Sequence, residues 1–111
     1  MTTPIEIEAK LIPPGNTWRL GGEVEYELHP DGFESFEVFV SRLDVPNGAA
    51  VTVRRNGESL AEVAVRGLFR RHGRLRVSSR KGDEVPRLNV GDAIEVVYGG
   101  QLLLTGVATI D

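Results

Sequence analysis

The sequence contains no cysteine, and it has few histidines, few aromatic residues and no long apolar run. Without cysteine, disulfides, thiolate zinc sites, iron–sulfur clusters and cysteine nucleophiles are excluded. The histidines, His29 and His72, stand far apart and in no metal-binding spacing, so we predict no metal site and no cofactor. The longest uniform apolar run, Leu102-Leu103-Leu104, is far too short to span a membrane, and we expect no membrane partner.

Motifs of the common enzyme classes are missing as well. There is no Gly-x-Ser-x-Gly elbow, no phosphate-binding loop and no dinucleotide fingerprint. Glu23, Glu25 and Glu27 alternate along one segment and would lie about 7 Å apart in a strand, which resembles the spacing of glycosidase carboxylates. Alternating glutamates are also ordinary on an exposed strand face, and nothing in the sequence indicates a cleft. We therefore predict no catalytic residues and no enzymatic activity.

Length and the N-terminal residues bear on domain count and on location. The chain has 111 residues, which fits a single domain over residues 1–111. The segment Met1–Glu8 has neither the basic region nor the apolar region of a signal peptide. We expect a cytoplasmic protein, or an extracellular one if Met1 is not the native start.

Glycine and proline interrupt the chain too often for long helices. There are 13 glycines and 6 prolines, and the longest stretch without either is Phe33–Val45. Between these breaks apolar and polar residues alternate, as in Ile5–Leu11, Gly22–Leu28 and Phe36–Ser41. This pattern predicts an all-β protein, a single-domain antiparallel β-sandwich of Greek-key type with about eight or nine strands.

Two details of this fold can be predicted more closely. The segments Phe33–Leu43 and Ser59–Glu62 have some helical spacing, but their β-branched residues and flanking turns favour strands. The Asn56-Gly57 pair predicts a hairpin. A three-residue loop with Gly57 in the left-handed conformation would pair Val51 with Ala61, and we prefer it because it keeps the valines on one face.

Charge is segregated along the chain. Residues 1–40 contain eight acidic and two basic residues, whereas residues 41–80 contain nine arginines and three acidic residues. The last part, 81–111, is acidic again, and the formal net charge of the whole chain is -3. One interpretation is charge pairing between neighbouring strands. The other is a self-complementary surface, on which the acidic side of one copy meets the basic side of another.

The basic part is densest between Arg66 and Lys81. This segment contains five arginines that could bind a nucleic acid or another polyanion, namely Arg66, Arg70, Arg71, Arg74 and Arg76. A platform for single-stranded nucleic acid needs more aromatic residues than this segment has. Alternating arginines also protect an edge strand from aggregation, which is the alternative interpretation.

Three apolar features suggest contacts outside the core. Trp18 follows a Pro-Pro-Gly segment and would either stack on a carbohydrate or plug the open end of the sandwich. Phe39 points outward if Phe36, Val38 and Val40 point inward. The segment Gln101–Ile110 has apolar residues on both faces, which predicts that a second copy, barrel closure or a loop covers it.

Several segments carry a family resemblance. They are Gly22–Leu28, Phe36–Val40, Val51–Gly57, Val85-Pro86, Val90–Asp92 and Leu104–Gly106. Together they resemble the chordin-type (CHRD-like) bacterial β-domains and their uncharacterised relatives, which implies a β-rich fold. That family has a histidine-rich segment after the third strand, where this chain has Arg54–Gly57, so the resemblance implies no metal role here.

These observations predict a non-enzymatic interaction module that forms a homodimer or binds a protein partner. The candidate binding residues are Trp18, Phe39, Arg66, Arg70, Arg71, Arg74 and Arg76. Two alternatives remain open at this point. One is a carbohydrate-binding module that uses Trp18 to hold a polysaccharide, and the other is polyanion or nucleic-acid binding through Arg66–Lys81.

Overall fold

A computed structural model describes residues 4–15, 19–68 and 70–111, and nearly all its regular structure is β-strand. The described strands are β1 Ile5–Leu11, β2 Gly22–Leu28, β3 Glu34–Leu43, β4 Ala50–Arg55, β5 Glu58–Ala64, β6 Arg71–Ser78, β7 Ala93–Tyr98, β8 Gln101–Val107 and β9 Thr109–Ile110. A single turn of 3₁₀ helix, Ser79–Lys81, follows β6. Nothing helical in these ranges has the length and apolar character to cross a bilayer.

The strands form two antiparallel sheets that pack face to face. The 5-stranded sheet has the order β6-β3-β2-β1-β9, and the 4-stranded sheet has the order β5-β4-β7-β8. The chain crosses between the sheets after β3, β5, β6 and β8, as expected of a Greek-key-type sandwich. Single bridges, Ile12 to Thr105 and Arg66 to His72, join the sheets at their two margins. The predicted all-β sandwich is therefore confirmed.

Strand alternation produces the core directly. Every second residue along the strands points inward from its sheet, and most of these side chains are almost completely shielded from water. The largest fully buried side chains of the core are Phe36, Leu11, Ile94 and Leu104 of the strands, Leu88 of a connection, and valines at 24, 38, 40, 51, 53, 63 and 65. Both segments with helical spacing are strands, β3 and β5, because their apolar residues are needed on this inner face at period two.

The β4–β5 hairpin differs from the predicted register. Its turn has two residues, and both Asn56 (φ 51) and Gly57 (φ 85) are left-handed, which is a type I′ turn. Val51 pairs with Val63 rather than with Ala61, because the extra residue is a bulge within the strands and not in the loop. The prediction of a left-handed Gly57 is correct, whereas the predicted three-residue loop is wrong. The valines share one face in either register because the registers differ by two residues.

A long connection closes one end of the sandwich. Between β6 and β7 the chain runs from the 3₁₀ turn to Asp92, and Leu88 in this connection is 1% exposed. Arg87 beside it holds the Glu34 carboxylate with two hydrogen bonds of 2.8 Å. The same carboxylate accepts a 2.5 Å hydrogen bond from the hydroxyl of Tyr26, a core residue of β2. Leu88 therefore plugs this end, and charge-assisted hydrogen bonds fasten the plug to the 5-stranded sheet.

The described residues cover the apolar segment Gln101–Ile110 unevenly, and Leu102 and Leu103 are both half-buried. Leu104 and Ala108 are buried, whereas Val107 is 58% and Ile110 is 72% exposed. The outer surface near β8 thus keeps apolar side chains in contact with solvent. Coverage of both faces stays a prediction for the assembled protein.

Candidate functional site

The outer face of the 5-stranded sheet carries most of the charged residues of β1, β2 and β3. Because the apolar residues of these strands point inward, every alternate residue points to solvent. Six glutamates lie on this surface, which we call the acidic face: Glu6, Glu8, Glu23, Glu25, Glu27 and Glu37. Glu6 is directly opposite Glu27, and Glu8 is opposite Glu25, which in turn is opposite Glu37. Like charges directly opposite each other destabilise a sheet, so this arrangement is unfavourable in the isolated chain.

Three carboxylates of the acidic face come very close together. One oxygen each from Glu8, Glu23 and Glu25 lies within 4.8 Å of the others. Partial burial raises the pKa of Glu23 to about 7, and hydrogen bonds to Glu8 and Glu25 that require a shared proton add to the shift. At the far end of the face, the charge of Glu27 raises the pKa of Glu6, with smaller contributions from burial and from Asp111. The face therefore holds protons at a pH where ordinary glutamates have lost them.

Strand β6 provides positive charge along one edge of the same face. Glu37 receives Arg74 Nη1 at 3.3 Å and Arg76 Nε at 3.0 Å. The predicted charge pairing between neighbouring strands is present here, at the boundary of β3 and β6. Within the described residues no lysine or arginine pairs in this way with Glu6, Glu8, Glu23, Glu25 or Glu27. Lys10 lies directly opposite Glu23, whereas Glu6, Glu8, Glu25 and Glu27 have no cation opposite them on the neighbouring strands.

Phe39 lies on this surface, as its position in the alternation predicts. Its neighbours Val38 and Val40 are buried, whereas Phe39 itself is half-buried on the outside. The guanidinium of Arg74 stacks 5.2 Å from the centre of its ring, a cation–π contact. Phe39, Arg74, Glu23, Glu25 and Glu37 line a depression of about 240 Å³.

The predicted basic segment does not form one continuous surface. Arg71 points back into the protein, where it donates to the carbonyls of Val45, Gly67 and Leu68. Arg74 and Arg76 belong to the acidic face, as described above. Arg80 pairs with Asp31 at 3.1 Å and stacks 4.2 Å above the ring of Phe33. Only Arg66 and Arg70 of the segment's arginines project with no ion pair to the described residues.

Strand β6 is an edge strand of its sheet, so its alternating arginines stand where the edge-protection interpretation puts them. The nucleic-acid interpretation stays a prediction. Trp18 lies outside the described residues, so its predicted roles as a stacking residue or a plug remain predictions. Leu88 fills the end of the sandwich that the β6–β7 connection closes.

A cleft with three arginines is the feature that the sequence did not reveal. Arg19 precedes β2, Arg42 lies near the end of β3, and Arg70 precedes β6, yet the topology brings them together. With Leu43 and Asp44 they line a shallow, wide-open depression of about 450 Å³, which we call the cleft. Arg42 has φ 57, a left-handed conformation that is rare for a residue other than glycine, and it lies in the β3–β6 register shift between Val40 and Leu43. No motif in the sequence signals this bulge, which is why the cluster escapes prediction.

The chain has no detected likeness to proteins of known family. No protein-family model, no curated protein and no solved structure matches it. The chordin-type resemblance therefore stays a prediction that rests on the short segments named above.

Proposed function

We propose that this protein is a non-enzymatic interaction module that self-associates through opposite charges of its 5-stranded sheet. The observation that carries the proposal is that, among the described residues, both charged regions contain side chains without an ion-pair partner. The acidic face has five glutamates without a lysine or arginine partner among the described residues. At the end of the sheet where β3 finishes and β6 starts lie Arg19, Arg42, Arg66 and Arg70, which we call the cationic end.

The acidic face and the cationic end lie at different positions along the strand direction of the 5-stranded sheet. Glu6, Glu27 and Ser35 form the row at one end, and the cationic end lies beyond Phe39 in the other direction. A two-fold axis that turns one copy end for end would lay the cationic end of each copy over the glutamates of the other. Such a closed arrangement satisfies both regions at once and leaves neither exposed.

Phe39 supports this arrangement because it lies between the two regions on the outer surface. An aromatic side chain in the middle of a charged surface contributes apolar contact where a partner excludes water. Among the described residues Arg74 stacks on its ring, and the side chain stays partly exposed. We therefore place Phe39 near the centre of the interface.

Light scattering coupled to size exclusion tests the proposal. We expect a dimer mass at about 50 mM salt and a shift toward monomer at about 500 mM, where the Debye length falls from about 14 Å to about 4 Å. A monomer at low salt and a protein concentration near 100 µM, a range in which weak dimers form, would contradict the proposal. So would a dimer that is indifferent to salt, since that result moves the interface to apolar residues such as Val107.

Charge-swap variants make the test specific to the surfaces. Glu8→Lys/Glu25→Lys and Arg66→Glu/Arg70→Glu should each be monomeric alone, and a mixture of the two should recover a heterodimer. The matched control is Arg54→Gln, which removes one charge from the outer face of the other sheet and should leave the dimer intact. Failure of the mixture to associate, with both variants folded, would rule out these two regions as partners.

A further inference from the structure

The three arginines that line the cleft, Arg19, Arg42 and Arg70, differ from most other arginines of the chain in their partners. Arg74 and Arg76 bind Glu37, Arg80 binds Asp31, Arg87 binds Glu34, and Arg71 is held by backbone carbonyls. In the described part of the chain, none of the three cleft arginines forms an ion pair with a carboxylate. Three guanidinium groups therefore line one cleft that contains a single acidic residue, Asp44.

Arg19 contributes an unsatisfied hydrogen-bond donor. Its Nη2 donates to the Arg42 carbonyl at 3.1 Å, which fixes the guanidinium against the β3 bulge. Its Nε is buried and has no acceptor among the described residues. A buried N–H without an acceptor is costly, and an oxygen atom of a ligand would remove that cost once the Arg19 side chain shifts to expose the N–H.

The backbone of Arg42 adds a second, independent argument. A left-handed conformation strains a residue other than glycine and persists where the surrounding structure requires it. Glycine would fit this position without strain, yet the chain has an arginine there, and its side chain lines the cleft. The position is therefore better explained by what the guanidinium binds than by what the backbone needs.

The cleft also has an apolar side. A neighbouring depression of about 230 Å³ shares Arg19, Arg42, Leu43 and Asp44 with it. Leu102, Leu103 and Pro13 line that part, so apolar surface begins next to the arginines. A small inorganic anion would fill only the cationic part of this combined space.

We propose that the Arg19–Arg42–Arg70 cleft binds an oxyanion attached to an apolar group, of the kind found in an aryl or alkyl phosphate monoester. The guanidinium groups of Arg42 and Arg70 neutralise the oxyanion, and the Nε of Arg19 donates to one of its oxygens. The apolar part of the ligand lies against Leu102 and Leu103. The site is complete within one chain, and because the dimer proposed above covers the same arginines, ligand binding competes with self-association.

Titration with phenyl phosphate and with inorganic phosphate, followed by ¹H–¹⁵N NMR, tests this site. We expect saturable chemical-shift changes at the amides of Leu43 and Asp44 and at the Nε–H of Arg19. Phenyl phosphate should bind more tightly than inorganic phosphate. Absence of saturable shifts with either ligand would overturn the proposal. Equal affinity for the two ligands would overturn its apolar part.

Arg42→Gly is the decisive variant because it removes the guanidinium and relieves the backbone at the same time. We expect the variant to unfold at the same or a higher temperature while its affinity for phenyl phosphate falls about tenfold, the effect of one charge-assisted hydrogen bond. The matched control Arg54→Gln loses the same charge outside the cleft and should bind like the parent. Unchanged affinity in Arg42→Gly would overturn the proposed role of Arg42.

The same titration on Glu8→Lys/Glu25→Lys separates this site from the self-association proposed above. Saturable binding by that variant supports the cleft, whatever its oligomeric state. Binding that occurs in the parent and is lost in this variant would show that the ligand site is made by two copies, which contradicts a cleft complete within one chain.

Discussion

Glu23 shows how a single residue on an exposed face acquires an unusual protonation state. Its ordinary pKa is 4.5, and in the folded chain it titrates at about 7 because of partial burial and the nearby Glu8 and Glu25. Folding therefore favours the protonated form. Protonated Glu23 can donate to a neighbouring carboxylate, which converts a repulsive contact into a hydrogen bond.

The stability of the protein should consequently decrease as pH rises from the acid range toward neutrality. A group whose pKa is higher in the folded state contributes its full stabilisation below the unfolded pKa and loses it as pH passes the folded value. For Glu23 the loss takes place between pH 4.5 and about 7. We expect the melting temperature of Glu23→Gln to change less over this range than that of the parent.

Glu62→Gln is the control, since Glu62 is an exposed glutamate on the other sheet, opposite Thr52. Thermal melts at pH 5, 6, 7 and 8 compare the three chains, a range that spans the titration of a group near neutrality. Glu62→Gln should follow the parent at every pH. If Glu23→Gln also follows the parent, proton binding at Glu23 is not the cause of the pH dependence.

At the scale of the elements, the connection between β6 and β7 matters most for stability. It has no regular structure after the 3₁₀ turn, yet it supplies Leu88 to the core and Arg87 to Glu34. Asp92 at its end is buried and accepts hydrogen bonds from the Asn89 amide at 2.8 Å and from Asn56 Nδ2 at 3.0 Å. These contacts tie the connection to the β4–β5 turn and position the start of β7.

Leu88→Ala should therefore be costly, although Leu88 lies in a loop. Loss of a fully buried leucine side chain costs about 2–5 kcal/mol of the free energy of unfolding, depending on how well the site collapses. Val90→Ala in the same connection is the control, because Val90 is 56% exposed and should change stability by less than about 0.5 kcal/mol. Urea unfolding of both variants measures the difference. Equal effects would contradict the role of Leu88 as the plug.

Much of the architecture could be predicted because strand alternation is a local property. The inward valines of β3 and β4, the outward Phe39 and the strand start at Ala93 follow from period two and from turn residues. The hairpin register was not predictable, because it is set by a bulge between Val53 and Arg54 that neither the turn residues nor the alternation marks. Leu88 was missed for the same reason, since its burial depends on how a loop crosses the core.

The candidate sites were less predictable than the fold. The excess of acidic residues before residue 40 and of arginines after it is visible in the sequence, but ion pairing is decided by strand neighbours. Register places Arg74 and Arg76 beside Glu37, whereas Arg71 is turned inward by its position at the bulge. Arg19, Arg42 and Arg70 are far apart in sequence, and only the fold brings them together.

For the whole molecule, the dominant electrostatic feature is repulsion among the glutamates of the acidic face. Only Glu37 of the six has arginine partners in the ranges described. Glu6, Glu8, Glu25 and Glu27 lie directly opposite other glutamates, whereas Glu23 lies opposite Lys10. Exposed ion pairs such as Arg80 with Asp31 contribute little, about 0–1 kcal/mol each. Repulsion should therefore outweigh pairing in the monomer.

Salt should accordingly stabilise the monomer. Raising sodium chloride from about 20 mM to about 500 mM screens the carboxylates from one another, so the melting temperature should rise. The measurement is made at a dilution where light scattering gives a monomer mass, because dissociation of a charge-paired dimer would act in the opposite direction.

Glu8→Gln/Glu25→Gln removes the central repulsive contacts, and its melting temperature should rise less than that of the parent. The difference between the two chains isolates the acidic face from general effects of salt on apolar surface. A melting temperature that falls with salt in the dilute parent would mean that ion pairs dominate, and the acidic face would then be electrostatically satisfied within one chain.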